Sequence, residues 1–216
     1  MTDGAAVWTV VVGAGRGTRF GGLKQYEEVG GSRIIDRSVS AARAAGSQVV
    51  LVVPAEDAER EGGVAGGESR AESVRAGLAA VPDDAEIVCV HDAARPFASV
   101  ALFERVIAAV RAGADGAVPG MPVSDTIKVV RSVDGELEVA STLERSTLSA
   151  VQTPQAFRAD VLRAAHAGGA DGTDDASLVE ASGGRVVVVE GEAVNRKITT
   201  TDDLEWARGM VGDEHS

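Results

Sequence analysis

Cysteine occurs once in the 216 residues, as Cys89. That excludes an internal disulfide, fits a reducing cytoplasmic setting, and makes a thiol in mid-strand read as core rather than nucleophile. Aromatic residues supply only 3% of the chain, so the 44% hydrophobic content must build a core from Val, Ala, Leu and Ile. No apolar run approaches the roughly 20 residues of a membrane-spanning helix. The opening MTDGAAVW lacks the basic and apolar regions of a secretion signal. The three histidines show no metal-ligand spacing, and no G-x-S-x-G nucleophile elbow occurs. Positive charge is scarce as well: 21 Lys and Arg against 33 Asp and Glu give a net charge of −12. Such a chain is a poor partner for nucleic acid, whose binding rests on phosphate neutralisation. It can take small phosphates where its few cations are gathered, so the position of each Arg and Lys is informative.

What is present alternates between strand and helix. Apolar runs at Val7–Val12, Gln48–Val53, Ile87–Val90, Gly116–Met121 and Arg185–Glu190 read as strands. Helical spacing covers Ile34–Ala45, Arg70–Ala80, Leu102–Ala112, Ala159–Ala167, Asp174–Ala181 and about Asp202 to Met210, the last opened by a Thr200/Asp203 capping box. Nearly continuous apolar strands separated by helices predict an α/β fold with a doubly wound, mostly parallel sheet covered on both faces. The length suits a single domain over residues 1–216. One segment breaks the rhythm: residues 126–131 and 136–142 alternate with period two around Asp134-Gly135, the signature of a β-hairpin. A polar two-stranded arm of about residues 126–145 is marginal alone, and a second subunit is the expected surface for it.

In a doubly wound sheet, ligands sit beyond the carboxyl ends of the strands. The first strand runs into GAGRGTRFGGLK, where five glycines carry the cations Arg16, Arg19 and Lys24. The loop satisfies neither G-x-G-x-x-G, whose last position falls on Thr18 or Phe20, nor the P-loop, since Gln25 follows Lys24. It is phosphate-friendly without being either standard type. The loops HDAARP, PVSDTIK and EGEAVNRK also place charged or small polar residues just past apolar runs.

Taken in order, GAGRGTRFGGLKQY, GGESRAESV, HDAARP, PVSDTIK, TPQAF, TDDASLVE and NRKIT resemble the 2-C-methyl-D-erythritol 4-phosphate cytidylyltransferase family over Val7 to Ala207. The resemblance implies a nucleotidyltransferase fold with a protruding β-arm that builds a homodimer. It also implies transfer of CMP from CTP to methylerythritol phosphate, in the non-mevalonate isoprenoid pathway. Arg19 and Lys24 then stabilise the transition state, and Arg145 and Lys197 position the phosphate for attack, Arg145 from the neighbouring subunit. Gly13, Ala14, Gly15, Arg16 and Gly17 wrap the triphosphate with backbone N–H groups. Ala14, Gly67, Glu68 and Ser73 read cytosine, with Asp92 and Ala93 also on the CTP side. Arg95, Thr126, Thr153 and Thr173 join the sugar-phosphate site. Asp92 is the candidate ligand for Mg²⁺, with loop orientation as its alternative. Gly13, Leu23, Glu68, Val194 and Arg196 depart from common family residues. The short Asp57–Gly66 stretch implies a lost or reduced strand. Ribitol 5-phosphate cytidylyltransferases, nucleotide-sugar pyrophosphorylases and a catalytically silent binding module are the competing readings.

Overall fold

A computed structural model of the chain describes residues 6–15 and 22–212. Arg16, Gly17 and Arg19 therefore lie outside the described residues. The strands are β1 Val7–Val12, β2 Glu28–Val29, β3 Ser32–Arg33, β4 Gln48–Val53, β5 Val64–Ala65, β6 Ile87–Asp92, β7 Gly116–Pro122, β8 Lys128–Val133, β9 Glu136–Thr142, β10 Ser149–Val151, β11 Gln155–Arg158 and β12 Val186–Glu190. The helices are α1 Ile34–Ala44, α2 Ala58–Glu61, α3 Arg70–Ala80, α4 Val100–Arg111, α5 Ala159–Ala167, α6 Asp175–Ala181 and α7 Thr201–Gly212.

The main sheet runs β10-β7-β11-β6-β1-β4-β5, with β12 also paired to β7. β4, β1 and β6 form its parallel centre, with Val12 opposite Val52 on one side and Asp92 on the other. That register brings the carboxyl ends of three strands level, so their loops open onto one edge. Alternate residues feed opposite faces. Val88 and Val90 pack with Val74, Leu78, Leu162 and Val179, whereas Ile87 and Cys89 pack with Leu102, Phe103, Val106 and Val110. Cys89 is fully buried and its thiol is pushed up to about 12 by that burial, so it is core, as expected.

The expected strands and helices are present, with boundaries moved by a few residues. β5 is reduced to two residues, in line with the shortened stretch before it. Thr200 and Asp203 do cap α7 reciprocally, through Asp203 N to Thr200 Oγ1 at 3.2 Å and Thr200 N to Asp203 Oδ2 at 3.0 Å. β10 and β11 are additions to the sequence reading. β11 runs antiparallel between β6 and β7, so those two do not touch as a doubly wound reading of consecutive strands implies. Its residues Gln155–Arg158 show no apolar alternation; Gln155 is buried because Asp174 accepts from its Nε2 at 2.7 Å.

β8 and β9 form the expected hairpin, exposed on almost every residue. Its turn has φ of 51° at Asp134 and 87° at Gly135, the double positive φ of a type I′ turn, for which Asp-Gly is suited.

Close packing of α3 on the sheet depends on Gly77. A Cβ there would lie 2.4 Å from Val10 Cγ1 and 2.9 Å from Val52 Cγ2, both on buried β-branched side chains with little freedom to move. Helix propensity alone would make Gly77→Ala stabilising by about 0.5–1 kcal/mol. Overpacking should reverse the sign, giving a net loss of about 1–3 kcal/mol. Urea unfolding at unchanged m-value measures this; a raised midpoint would refute the packing account.

Candidate active site

The loops leaving β1, β4 and β6 are stitched together by backbone hydrogen bonds. Gly13 N donates to Val52 O at 2.7 Å, Gly66 N to Val53 O at 2.8 Å, and Ala93 N to Val12 O at 2.9 Å. The Gly13 N–H, expected among the phosphate-wrapping donors, is thus engaged within the sheet. Its glycine character serves packing, since an added Cβ would stand 3.0 Å from Ile35 Cδ1. Ala14, Gly66 and Ser73 meet: a Cβ on Gly66 would be 2.3 Å from Ala14 Cβ and 2.8 Å from Ser73 Oγ. This brings Ala14, Gly67 and Ser73 of the expected cytosine site together. Ser73 Oγ, however, is buried and donates back to Ser69 O at 3.0 Å. Glu68 N donates to Glu72 Oε2 at 2.6 Å, and Ser69 with Glu72 forms a capping box at the start of α3. Lys24 opens a single helical turn, Lys24–Tyr26, which Tyr26 anchors through its hydroxyl to Asp57 Oδ2 at 2.8 Å.

Capping α3 places Arg70 at its first residue, facing the end of β6. Asp92 Oδ1 accepts from Arg70 Nε at 3.1 Å, and Asp92 Oδ2 accepts from Lys197 Nζ at 2.5 Å. Arg70 Nη1 reaches on to Asp175 Oδ2 at 2.8 Å, and Asp175 Oδ1 faces His166 Nε2 at 3.0 Å. Burial alone would raise the Asp92 carboxyl, but the Arg70 and Lys197 charges outweigh it and hold the group well below the usual carboxylate range. Lys197 is carried by a segment sewn to the HDAARP loop: Ile198 N donates to Ala94 O at 2.8 Å, and Arg95 Nη1 to Asn195 O at 2.7 Å. Arg196, the departure beside it, stacks on Trp206 at 4.4 Å and pairs with Asp203 at 3.1 Å.

Beneath Asp92, Thr153 Oγ1 accepts from Asp92 N at 3.0 Å and lies 3.2 Å from His91 Nδ1. His91 Nε2 is 3.2 Å from Arg95 O, which can only accept, so Nε2 carries the proton and Nδ1 accepts from the Thr153 hydroxyl. Thr153, expected on the sugar-phosphate side, is buried with its hydroxyl engaged on both sides, directly behind Asp92. Thr173 is exposed just before α6. Arg145 and Thr126 stand at the root of the hairpin, where Arg145 Nη1 donates to Ser124 O at 3.0 Å. Arg145 lines an open cavity of about 580 Å³ with Pro122, Val123, Ser146 and Ser149.

Sequence reasoning missed Arg70, Asp175 and His91 as members of this cluster. Arg70 had a local signal in the S-x-x-E capping box that fixes where α3 starts; the pairing of Asp175 with it spans 105 residues and has none. Among the described residues, no three His, Cys, Asp or Glu side chains gather as a metal site. With no such group, a hard divalent cation at Asp92 would have to draw most of its oxygen ligands from a phosphate substrate and water.

Burial lowers His91 to about 4 from 6.5. Between those values the unfolded chain binds this proton and the folded chain does not, so acid favours unfolding; above pH 6.5 the group contributes nothing. The full window is worth about 3 kcal/mol. The stability lost by wild type between pH 6.5 and 5 should exceed that lost by His91→Gln, with urea midpoints as the measure. Parallel pH profiles would show that His91 is not buried as a neutral ring.

The model of the family described as "IspD: 2-C-methyl-D-erythritol 4-phosphate cytidylyltransferase" matches residues 7–213. A protein of that name from Rhodococcus jostii is 44% identical over 226 residues, covering 98% of each chain. A "Bifunctional enzyme IspD/IspF" from Clavibacter michiganensis is also 44% identical over 97% of this chain, which spans 55% of that longer protein. The crystal structure of a 2-C-methyl-D-erythritol 4-phosphate cytidylyltransferase from Thermus thermophilus superposes with a TM-score of 0.80 at 34% identity, covering 95% of this chain and 98% of that one. With its fold, its loop order and these likenesses in agreement, the chain belongs to the 2-C-methyl-D-erythritol 4-phosphate cytidylyltransferase family.

Proposed function

We propose that this chain transfers CMP from CTP to 2-C-methyl-D-erythritol 4-phosphate in isoprenoid precursor synthesis, releasing pyrophosphate. A phosphate oxygen of the alcohol attacks the α-phosphorus of CTP in line; the bond from that phosphorus to the β-bridging oxygen breaks and pyrophosphate leaves. The observation that carries this reading is the meeting of Lys197, Asp92 and Arg70 at the carboxyl end of the parallel sheet, in a chain of this family. Such a transfer needs no covalent intermediate. It needs two polyanions held in line and negative charge neutralised on their non-bridging oxygens.

Lys197, whose side chain is 37% exposed, meets the incoming phosphate, while Arg19 and Lys24 from the first loop meet the triphosphate. Arg16, Gly15 and Gly17 complete the phosphate wrap, and Arg95, Thr126 and Thr173 belong to the sugar-phosphate side. A divalent cation such as Mg²⁺, when bound with CTP, neutralises triphosphate charge, and Asp92 is the residue of this chain that would hold it. The exposed apolar side chains of the arm, Val129, Val130, Leu137 and Val139, support a homodimer in which each arm lies on the other copy. Arg145 at the arm's root then completes the partner's site, in a cytoplasmic enzyme.

A panel of CTP or UTP with methylerythritol phosphate or ribitol 5-phosphate, read by pyrophosphate release with and without Mg²⁺, tests the assignment. Turnover restricted to CTP and methylerythritol phosphate is expected; preference for ribitol 5-phosphate or UTP would replace it, and CTP binding without turnover would leave a silent module. Arg19→Ala should cut kcat by about 10²–10³ while CTP affinity stays near wild type. Arg145→Ala and Lys197→Ala chains, each reduced to residual turnover alone, should regain activity when mixed. Mixtures as inactive as either parent would remove the trans role of Arg145.

A further inference from the structure

Four side chains alternate in sign along one path through the site. Asp175 on α6, Arg70 on α3, Asp92 at the end of β6 and Lys197 on the segment after β12 are linked at 2.8, 3.1 and 2.5 Å. Side-chain exposure differs along it: Asp175 is 1% exposed, Arg70 28%, Asp92 11% and Lys197 37%. The buried end is fixed further by His166, whose ring is 3% exposed against Asp175. The two acids are the buried members, and of the two cations Lys197 is the more exposed.

We propose that Arg70 and Asp175 are positioning residues for the reaction, setting where the Lys197 ammonium stands without touching either substrate. This rests on the cytidylyltransferase reading above. A lysine is a flexible stem with a point charge, and nothing in its own geometry fixes its direction. Asp92 fixes it by accepting from Nζ, but a carboxylate can itself rotate. The Arg70 guanidinium removes that freedom because it is planar and holds two carboxylates at once, Asp92 through Nε and Asp175 through Nη1. The rigid anchor therefore lies two charged groups behind the residue that meets substrate. A role in stability alone would not require the path to end on a solvent-facing amine.

Three lysines occur in the chain: Lys24, Lys128 and Lys197. Lys128 lies on the arm and bonds to Thr142 Oγ1, so it serves as an internal reference. Acetylation of the full chain by an N-hydroxysuccinimide ester, read by mass spectrometry, should show Lys197 labelled at least about twofold faster relative to Lys128 in Asp175→Asn than in wild type, as the tie to Asp92 loosens. Turnover of Asp175→Asn should fall by about 10- to 100-fold, with CTP affinity within about twofold of wild type. In a Lys197→Ala background the same substitution should cause no further fall, because its effect runs through Lys197. Arg70→Lys, which keeps the charge but cannot hold both carboxylates, should reproduce the labelling change. Unchanged labelling in a folded variant, or equal loss in both backgrounds, overturns the proposal. So does failure of both variants to fold, which would make the path scaffolding. The labelling contains no substrate, so it decides the positioning role even if wild type proves inactive on CTP and methylerythritol phosphate.

Discussion

The Asp92 carboxylate, accepting from Arg70 on one oxygen and Lys197 on the other, is the interaction on which the site depends. A chain with a net charge of −12 repels anions over most of its surface. It can present a cation to a phosphate only by fixing that cation in place, and a buried carboxylate at a strand end does so. The cost is desolvation of Asp92, and such buried pairs often contribute little to stability. Here the pair contributes geometry. Asp92 inherits its position from β6, which β1 and β11 flank, so the partner that Lys197 meets is fixed by the sheet register.

That dependence explains what could be read from the sequence. The α/β alternation, the hairpin with its Asp-Gly turn and the reduced β5 were legible because each follows from local pattern and turn chemistry. β11 was not, since Gln-Ala-Phe-Arg carries no period-two signal and becomes a strand through what surrounds it: Phe157 in the core and Gln155 tied to Asp174. The site divides in the same way. Loops at strand ends announced Asp92 and Lys197, while Arg70 and Asp175 lie in segments whose local reading is helix start and acidic cap. The hydrogen bonds of Gly13 and Thr153 were illegible for a related reason. A glycine or hydroxyl in a motif looks available, yet the Gly13 N–H is spent on Val52 and the Thr153 hydroxyl lies between Asp92 N and His91.

The hairpin answers to a different constraint. It leaves the domain between β7 and β10, which pair with each other at Gly120–Pro122, so both ends of the arm are clamped by one ladder. A two-stranded ribbon has no interior, and its apolar residues, Leu137 and Val139 among them, remain exposed. A clamped root with an apolar blade suits delivery of a root residue to a fixed place once the blade is covered. Arg145 occupies that position, apart from the loops that carry Asp92 and Lys197.

Arg70 also resolves a difficulty in using Lys197 at all. A phosphate that takes up the Lys197 ammonium competes with Asp92 for it, and a buried carboxylate stripped of its partner costs about 3–5 kcal/mol. With Arg70 still bonded to its other oxygen, Asp92 can release Lys197 without being left bare. Asp175, accepting from Arg70 Nη1 at 2.8 Å, holds the guanidinium from its other side. Two acids and two bases thus form a neutral set, and Lys197, its most exposed member, is the one placed to exchange partners under the proposed function. In that reading the Lys197 charge is left to the substrate while Asp92 and Asp175 keep Arg70 as their counterion.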